Sequence, residues 1–276
     1  MNTLRPVIER LHGGGRVRTW SLVITVFGDS VAPHGGRITS GQLQTILGQL
    51  DIDAGAVRTA LSRLVRDGWL ERDGAGRTGA YRLSAQGVSE FAEPVARVYA
   101  APDNGAGEPW AMGVAAAPPV PQAIQVAPET WIWPSAAKLR QCPDVLLQSG
   151  ALTLAEAARE ALLTATHRDD LAMIAADIGD VTAPPADPLT ALAARTALIH
   201  RWRRIVLRHP ALPQAFLPAS SPLDDPLTAT AKAYWALSPG AERWLDGALG
   251  PMAARDAEVF ERRLGGRKTK TATGAV

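Results

Sequence analysis

Residues 53–83 read DAGAVRTALSRLVRDGWLERDGAGRTGAYRL. In the first half, Val57, Leu61, Leu64 and Val65 recur at helical spacing and make one apolar stripe. Asp53 suits the N-cap, because its carboxylate can accept from the free N–H groups of the first turn. Gly68 suits the left-handed position that closes a helix. The opposite face carries Thr59, Ser62, Arg63 and Arg66, with Arg58 on its flank. Small hydroxyls fit close to a DNA backbone, and arginines reach phosphates or guanine edges. The second half has two short strand-like runs, 69–72 and 80–83, around the glycines 74, 76 and 79, which permit a tight turn. Arg72, Arg77 and Arg82, with Thr78 at the tip, make this hairpin basic and polar.

An amphipathic helix before a hairpin is common in α+β proteins, and arginines on a helix face are ordinarily just solvated. The upstream residues shift that balance. Thr19 can cap an apolar helix from Trp20 to Ala32, which Pro33-His34-Gly35-Gly36 ends. Arg37-Ile38-Thr39 is a short strand able to pair with the hairpin. Ser40 can cap a second helix from Gly41 to Leu50, and Asp51-Ile52 turns into the third. Helix, strand, helix, turn, helix, hairpin is the order of a winged helix-turn-helix, in which the third helix enters the major groove.

A length of 276 residues favours more than one domain, and 46% hydrophobic residues describe a globular chain. The net charge is only +2, so DNA contact has to come from a local patch. Between 58 and 82 there are six arginines, at 58, 63, 66, 72, 77 and 82, against Asp67, Glu71 and Asp73. Cys142 is the single cysteine, which excludes an internal disulfide; no Cys/His metal cluster and no cofactor are expected. The first residues lack the apolar run of a signal peptide and no stretch reaches membrane-spanning length, so a cytoplasmic protein is expected.

The first fifteen residues read as a loose basic tail. Ser84 can cap a connecting helix to Tyr99, and residues 101–109 have linker composition. Short apolar runs at 110–116, 123–126, 129–133 and 145–148 read as strands. Thr153-Leu-Ala-Glu156 reads as a capping box opening a helix to about Ala165. Asp187-Pro188, Asp225-Pro226 and Ser238-Pro239 each pair a cap with a proline at the first helical position, giving helices over about 188–208, 226–237 and 239–264. The last residues, from Gly265, read as disordered.

Several stretches resemble the PaaX-type repressors of phenylacetate catabolism. They are Ser21 to Asp29 with Ala32-Pro33 and Gly35-Gly36, Ala56 to Ala60 with Arg63 to Leu70, and Leu198-Ile-His-Arg-Trp-Arg-Arg204 with Pro210, Leu212-Pro213 and Leu217-Pro218. The sequence departs from the family pattern at His209, where an aspartate is expected, at Ser221, where a tryptophan is expected, and in a short alanine-rich middle segment. The resemblance implies an α+β multidomain chain. A winged helix-turn-helix DNA-binding domain with connecting helix would span 16–100. A small ferredoxin-like α+β middle domain would span 105–183, and a helical C-terminal dimerisation and effector domain 186–265. It also implies a homodimeric repressor of an aromatic-acid operon, bound to a double-stranded operator and released by an aryl-CoA thioester such as phenylacetyl-CoA.

The DNA-binding candidates are Arg58, Thr59, Ser62, Arg63, Arg66, Arg72, Arg77, Thr78 and Arg82. For the effector, Trp131 and Trp133 alternate on one strand and point to one face; they could line an aromatic pocket or fill a core. His200, Arg203 and Arg204 belong to the densest basic cluster, which suits the phosphates of CoA or a solvated face packed against a partner. His167-Arg168-Asp169-Asp170 reads as a helix end. No nucleophile elbow, phosphate loop or spaced catalytic triad is present, so no enzyme activity is expected. The alternatives are a regulator without a CoA effector, and a metal-dependent nuclease of the middle domain. The latter needs an aspartate at the end of a first strand, and Trp110 to Ala117 offers none.

Overall fold

A computed structural model of the chain describes residues 4–13, 17–73, 79–101, 109–121, 123–135, 137, 139–140, 143–148 and 152–266. Helices and two antiparallel sheets make the protein α+β. Its residues divide into two compact units, one of 1–102, 176–204 and 227–276, the other of 103–175 and 205–226. The stretch 186–265, read above as one domain, therefore contributes to both. Among the described residues no helix is long and apolar enough to cross a membrane. Cys142, the linker residues 102–108 and the tail from 267 lie outside the described residues.

The first unit opens on a helix, α1 (Arg5–Gly13), where the sequence reads as a loose tail. Tertiary partners explain the difference: Leu4, Val7 and Ile8 are buried, and Arg10 Nε lies 2.8 Å from Asp177. Helix α2 (Thr19–Val26) follows, with Thr19 as its first residue and no side-chain cap. It runs into a π-helical turn, Phe27–Val31, and a 3-10 turn, Ala32–His34. Gly35 and Gly36 then take φ of 78° and 73°, which side chains disfavour, and feed strand β1 (Ile38–Thr39). Thr39, rather than Ser40, caps helix α3 (Ser40–Gly48). Its hydroxyl accepts from Gln42 N at 3.2 Å while Gln42 Oε1 accepts from Thr39 N at 2.8 Å, a reciprocal capping box.

Helix α4 (Ala54–Arg66) begins at Asp53, whose Oδ1 accepts from Gly55 N at 2.6 Å. It ends at Gly68, φ 79°. Val57, Ala60, Leu61 and Leu64 are buried, which for the three larger side chains contributes roughly 1.5–3 kcal/mol each. Strands β2 (Leu70–Asp73) and β3 (Ala80–Leu83) pair antiparallel in the register Leu70 with Leu83, and β1 pairs with β3 through Ile38 and Tyr81. Ser84 caps helix α5 (Ala85–Val98) by accepting from Gly87 N at 2.9 Å.

The remaining long helices of this unit come from α7 (Ala165–Asp180), α8 (Pro188–Arg208) and α9 (Pro226–Leu249); α10 (Ala254–Glu261) follows. The expected break at Ser238-Pro239 does not occur, and α9 runs through it. Burial of Tyr234, Leu237, Ala241 and Leu245 on both sides of the proline outweighs the roughly 3 kcal/mol an interior proline costs. A buried ion network ties this unit together. Asp29 in the π-helical turn lies 3.0 Å from Arg195 Nε and accepts from the hydroxyls of Tyr99 at 2.8 Å and Tyr234 at 3.1 Å. Arg263 donates to the backbone carbonyls of Asp29 at 2.8 Å and Gly28 at 3.0 Å. Burial alone would raise the Asp29 carboxyl; Arg195 and Arg263 beside it outweigh that and hold it below its ordinary value.

The second unit is built on strands β4 (Trp110–Val114), β5 (Ile124–Ala127), β6 (Thr130–Pro134) and β7 (Val145–Gln148), all antiparallel in the order β5-β6-β4-β7. The two crossovers that a ferredoxin-like unit fills with helices, 115–123 and 135–144, hold none among the described residues. Pro118, Pro119 and Pro121 in the first withhold backbone donors. One face packs Trp110, Ile124 and Ile132 with Phe216. Helix α6 (Glu156–Leu162) starts from Ala155 without a side-chain cap, so Thr153 does not open it. Thr164 Oγ1 accepts from His167 N at 3.3 Å, so 167–170 lie at a helix end, the N-terminal one of α7.

Candidate nucleic-acid interface

Helix α4 presents two chemically opposite faces. Val57, Ala60, Leu61 and Leu64 point inward, while Arg58, Thr59, Ser62, Arg63 and Arg66 are exposed. This follows from residue type at 3.6-residue spacing, and it leaves five polar side chains along one side of one helix. Thr59 Oγ1 donates to Gly55 O at 2.9 Å and keeps its acceptor lone pairs outward.

The cations of this face are held only loosely. Arg63 Nε lies 3.3 Å from Asp67 and Arg66 Nε 3.1 Å from the same carboxylate. Desolvation raises the Asp67 carboxyl, but Arg66 and Arg63 together outweigh it and lower its pKa. Arg63 also lies over the ring of Trp20, 5.8 Å from its centre. On the hairpin, Arg82 pairs with Glu71 at 2.8 Å, and Arg72 lies 6.0 Å from the centre of the Tyr81 ring. Exposed pairs of this kind contribute about 0–1 kcal/mol, so a phosphate can displace them at little cost. Arg77 and Thr78 lie outside the described residues.

Two residues of this surface were not singled out in the sequence. Arg37, exposed beside β1, pairs with Asp73 at 2.7 Å and adds a cation along the sheet that holds the hairpin. Trp20 supplies the ring under Arg63. Neither carries a spacing signal, because each meets its partner only through tertiary packing.

The effector candidates occupy varied settings. Trp131 and Trp133 share one face of β6 and pack with Ala111 and Val120, while Ile132 faces the other side. Trp133 is buried, and Gly113 has no room for a side chain, because a Cβ there would lie 2.7 Å from the Trp133 ring. Trp131 is half-buried and its Nε1 donates to Ala115 O at 2.9 Å. In the first unit His200 is buried, with Nδ1 3.1 Å from Thr25 Oγ1. Burial and then the neighbouring Arg203, Arg204 and Arg201 push its pKa down to about 3, so it is neutral near pH 7. Arg203 donates to Ser21 Oγ at 3.2 Å, and Arg204 is exposed.

Two family models match this chain. One, described as PaaX-like protein, matches residues 18–87; the other, described as the C-terminal domain of PaaX-like protein, matches residues 161–247. Transcriptional repressor PaaX of Escherichia coli (strain K12) is 28% identical over 254 residues, which cover 79% of this chain and 80% of that protein.

Proposed function

The chain belongs to the PaaX-like protein family, and from that premise we propose that it is a transcriptional repressor that binds duplex DNA through a winged helix-turn-helix formed by 19–83. Helix α4 lies in the major groove, and the β2–β3 hairpin is the wing, touching backbone or the adjacent minor groove. The observation that carries this reading is the exposed face of Arg58, Thr59, Ser62, Arg63 and Arg66, set opposite a fully apolar one. The repressor named among its relatives supports the same reading. The protein acts as a homodimer on a two-fold-related site, with half-sites one or more helical turns apart. No step of catalysis is assigned to it.

Fluorescence anisotropy with a duplex from its own upstream region, over a series of salt concentrations, tests the interface. Arg63→Ala or Arg66→Ala should flatten the salt slope by about one unit for a lost phosphate contact. A lost guanine contact should instead cost roughly 1–3 kcal/mol and relax one base position. Unchanged binding in both variants would move the interface to another face. A monomer in sedimentation, with one unrepeated half-site in footprinting, would overturn the dimer.

The aryl-CoA thioester implied by the family resemblance releases the repressor only if it binds the DNA-incompetent state more tightly. A second reading, a regulator that does not seat this ligand on Trp131, Trp133, His200, Arg203 and Arg204, is favoured by one observation. Trp133 and His200 are already buried against partners of their own. Calorimetry with phenylacetyl-CoA and free CoA, repeated with Arg203 and Arg204 both replaced by alanine and followed by operator competition, separates the two readings.

A further inference from the structure

His34 closes the 3-10 turn between α2 and β1, and its side chain is completely buried. Nδ1 lies 2.8 Å from the carbonyl oxygen of Ser30, an atom that can only accept. The Nδ1 proton is therefore committed, and Nε2 is turned the other way. On that side stand two carboxylates one turn apart on α9. Glu242 Oε2 is 3.2 Å from Nε2, and Asp246 Oδ1 is 3.5 Å from it. Neither His34 Nε2 nor Glu242 Oε2 has a hydrogen-bond partner. A buried ring nitrogen facing two carboxylates needs a positive charge between them, either a proton or a cation.

We propose that His34, Glu242 and Asp246 bind a divalent transition-metal ion such as Zn²⁺. Zinc bonds of about 2.0–2.2 Å to nitrogen and oxygen, at tetrahedral angles, set ligand atoms about 3.4 Å apart. The two observed separations, 3.2 and 3.5 Å, bracket that value. The Ser30 carbonyl is the outer partner that a ligating histidine ordinarily has, fixing both tautomer and ring orientation. Imidazole with carboxylates suits Zn²⁺ and its neighbours in the first transition row. A cleft of about 320 Å³, lined by Trp235, Glu242, Asp246, Pro251, Met252 and Phe260, reaches both carboxylates and gives the ion a path in and room for water. Arg195 binds the other oxygen of Glu242, which leaves Oε2 for the ion.

Binding would tie the turn that feeds β1 to the C-terminal half of α9, whose last turn also holds α3 through Gln42 Nε2 and Ala248 O, 2.7 Å apart. The test uses the full chain without a histidine tag, stripped with chelator. It is titrated with Zn²⁺ by calorimetry and with Co²⁺ by visible absorption. One ion per chain, with a Co²⁺ d–d band, is the expected result. Asp246→Asn is the informative variant, because the side chain is 52% exposed and the isosteric change is expected to leave the fold intact. It should weaken binding at least about tenfold, the loss that even an outer partner causes, and should change the Co²⁺ band while circular dichroism stays unchanged. Two results would overturn the site: no ion bound at one equivalent, leaving an imidazolium between two carboxylates, or unchanged affinity and spectrum in Asp246→Asn.

Discussion

Arginine and aspartate meet in two regions of this protein and do opposite things there. In the π-helical turn, Asp29 and Arg195 are 0% exposed and lie 3.0 Å apart. At the end of α4, Arg63 and Asp67 lie 3.3 Å apart with 56% and 36% exposure. The distances are similar and the chemistry is the same. What differs is water. The buried pair has no solvent to return to, so it holds three segments of the first unit in one arrangement. The exposed pair is screened and exchangeable, so its cations remain open to a phosphate. A count of arginines says nothing about function until burial sorts them.

That contrast breaks most visibly at Asp29. Asp29→Ala leaves Arg195 with Glu242 alone and takes from Arg263 the carboxylate it pairs with in the interior, which should cost roughly 3–5 kcal/mol. Urea unfolding followed by circular dichroism reads this directly; a loss under about 1 kcal/mol would mean that the network relaxes into solvent. Arg63→Ala and Arg66→Ala should do the reverse, leaving stability within about 0.5 kcal/mol while weakening operator binding. Parallel loss of both properties would make them structural residues.

Acid sharpens the comparison. Burial, and then the arginines beside it, lowers His200 to about 3; burial, and then the His209 ring stacked 4.2 Å away, lowers His167 to about 4. Both lie below the ordinary histidine value of about 6.5, so the unfolded chain takes up protons first. Stability is then complete above about pH 6.5 and falls as pH drops toward the folded values, by roughly 2 kcal/mol per histidine between pH 7 and 5. The Asp29 network should survive that window, since its carboxyl is held below the ordinary range. Unfolding measured across pH should therefore show a slope that His167→Gln reduces; an unchanged slope would assign it to other groups. The smallest effect is expected at Asp67→Asn. Removing one exposed negative charge beside Arg63 and Arg66 should tighten DNA binding by less than about fivefold. Weaker binding there would mean that Asp67 orients the arginines rather than competing for them.

Much of the first unit could be read in the sequence, because its signals are local. The α4 stripe, the Asp53 and Ser84 caps and the left-handed Gly68 each depend on residues a few positions apart. The strands of the second unit fall on the expected apolar runs for the same reason. Where the sequence misled, a distant partner intervened. Helix α1 exists because Val7, Ile8 and Arg10 find neighbours elsewhere. Helix α9 passes Pro239 because a buried stripe on both sides holds it. Thr39 takes the cap from Ser40 because Gln42 answers it three residues later. The Asp29–Arg195 network joins residues 166 positions apart, and no spacing rule reaches that far.

The π-helical turn at Phe27–Val31 has a consequence for how this chain tolerates change in length. Such a turn amounts to one extra residue in an α-helix, and each residue rotates the helix by about 100°. The surplus residue thus changes the phase between the apolar side of α2 and the positions after it, bringing Asp29 and Ser30 round to Arg195. Most single substitutions here would keep that phase. Deleting one codon within the turn would not: it would restore ordinary helical winding and swing Asp29 away from both arginines, with every remaining side chain unchanged.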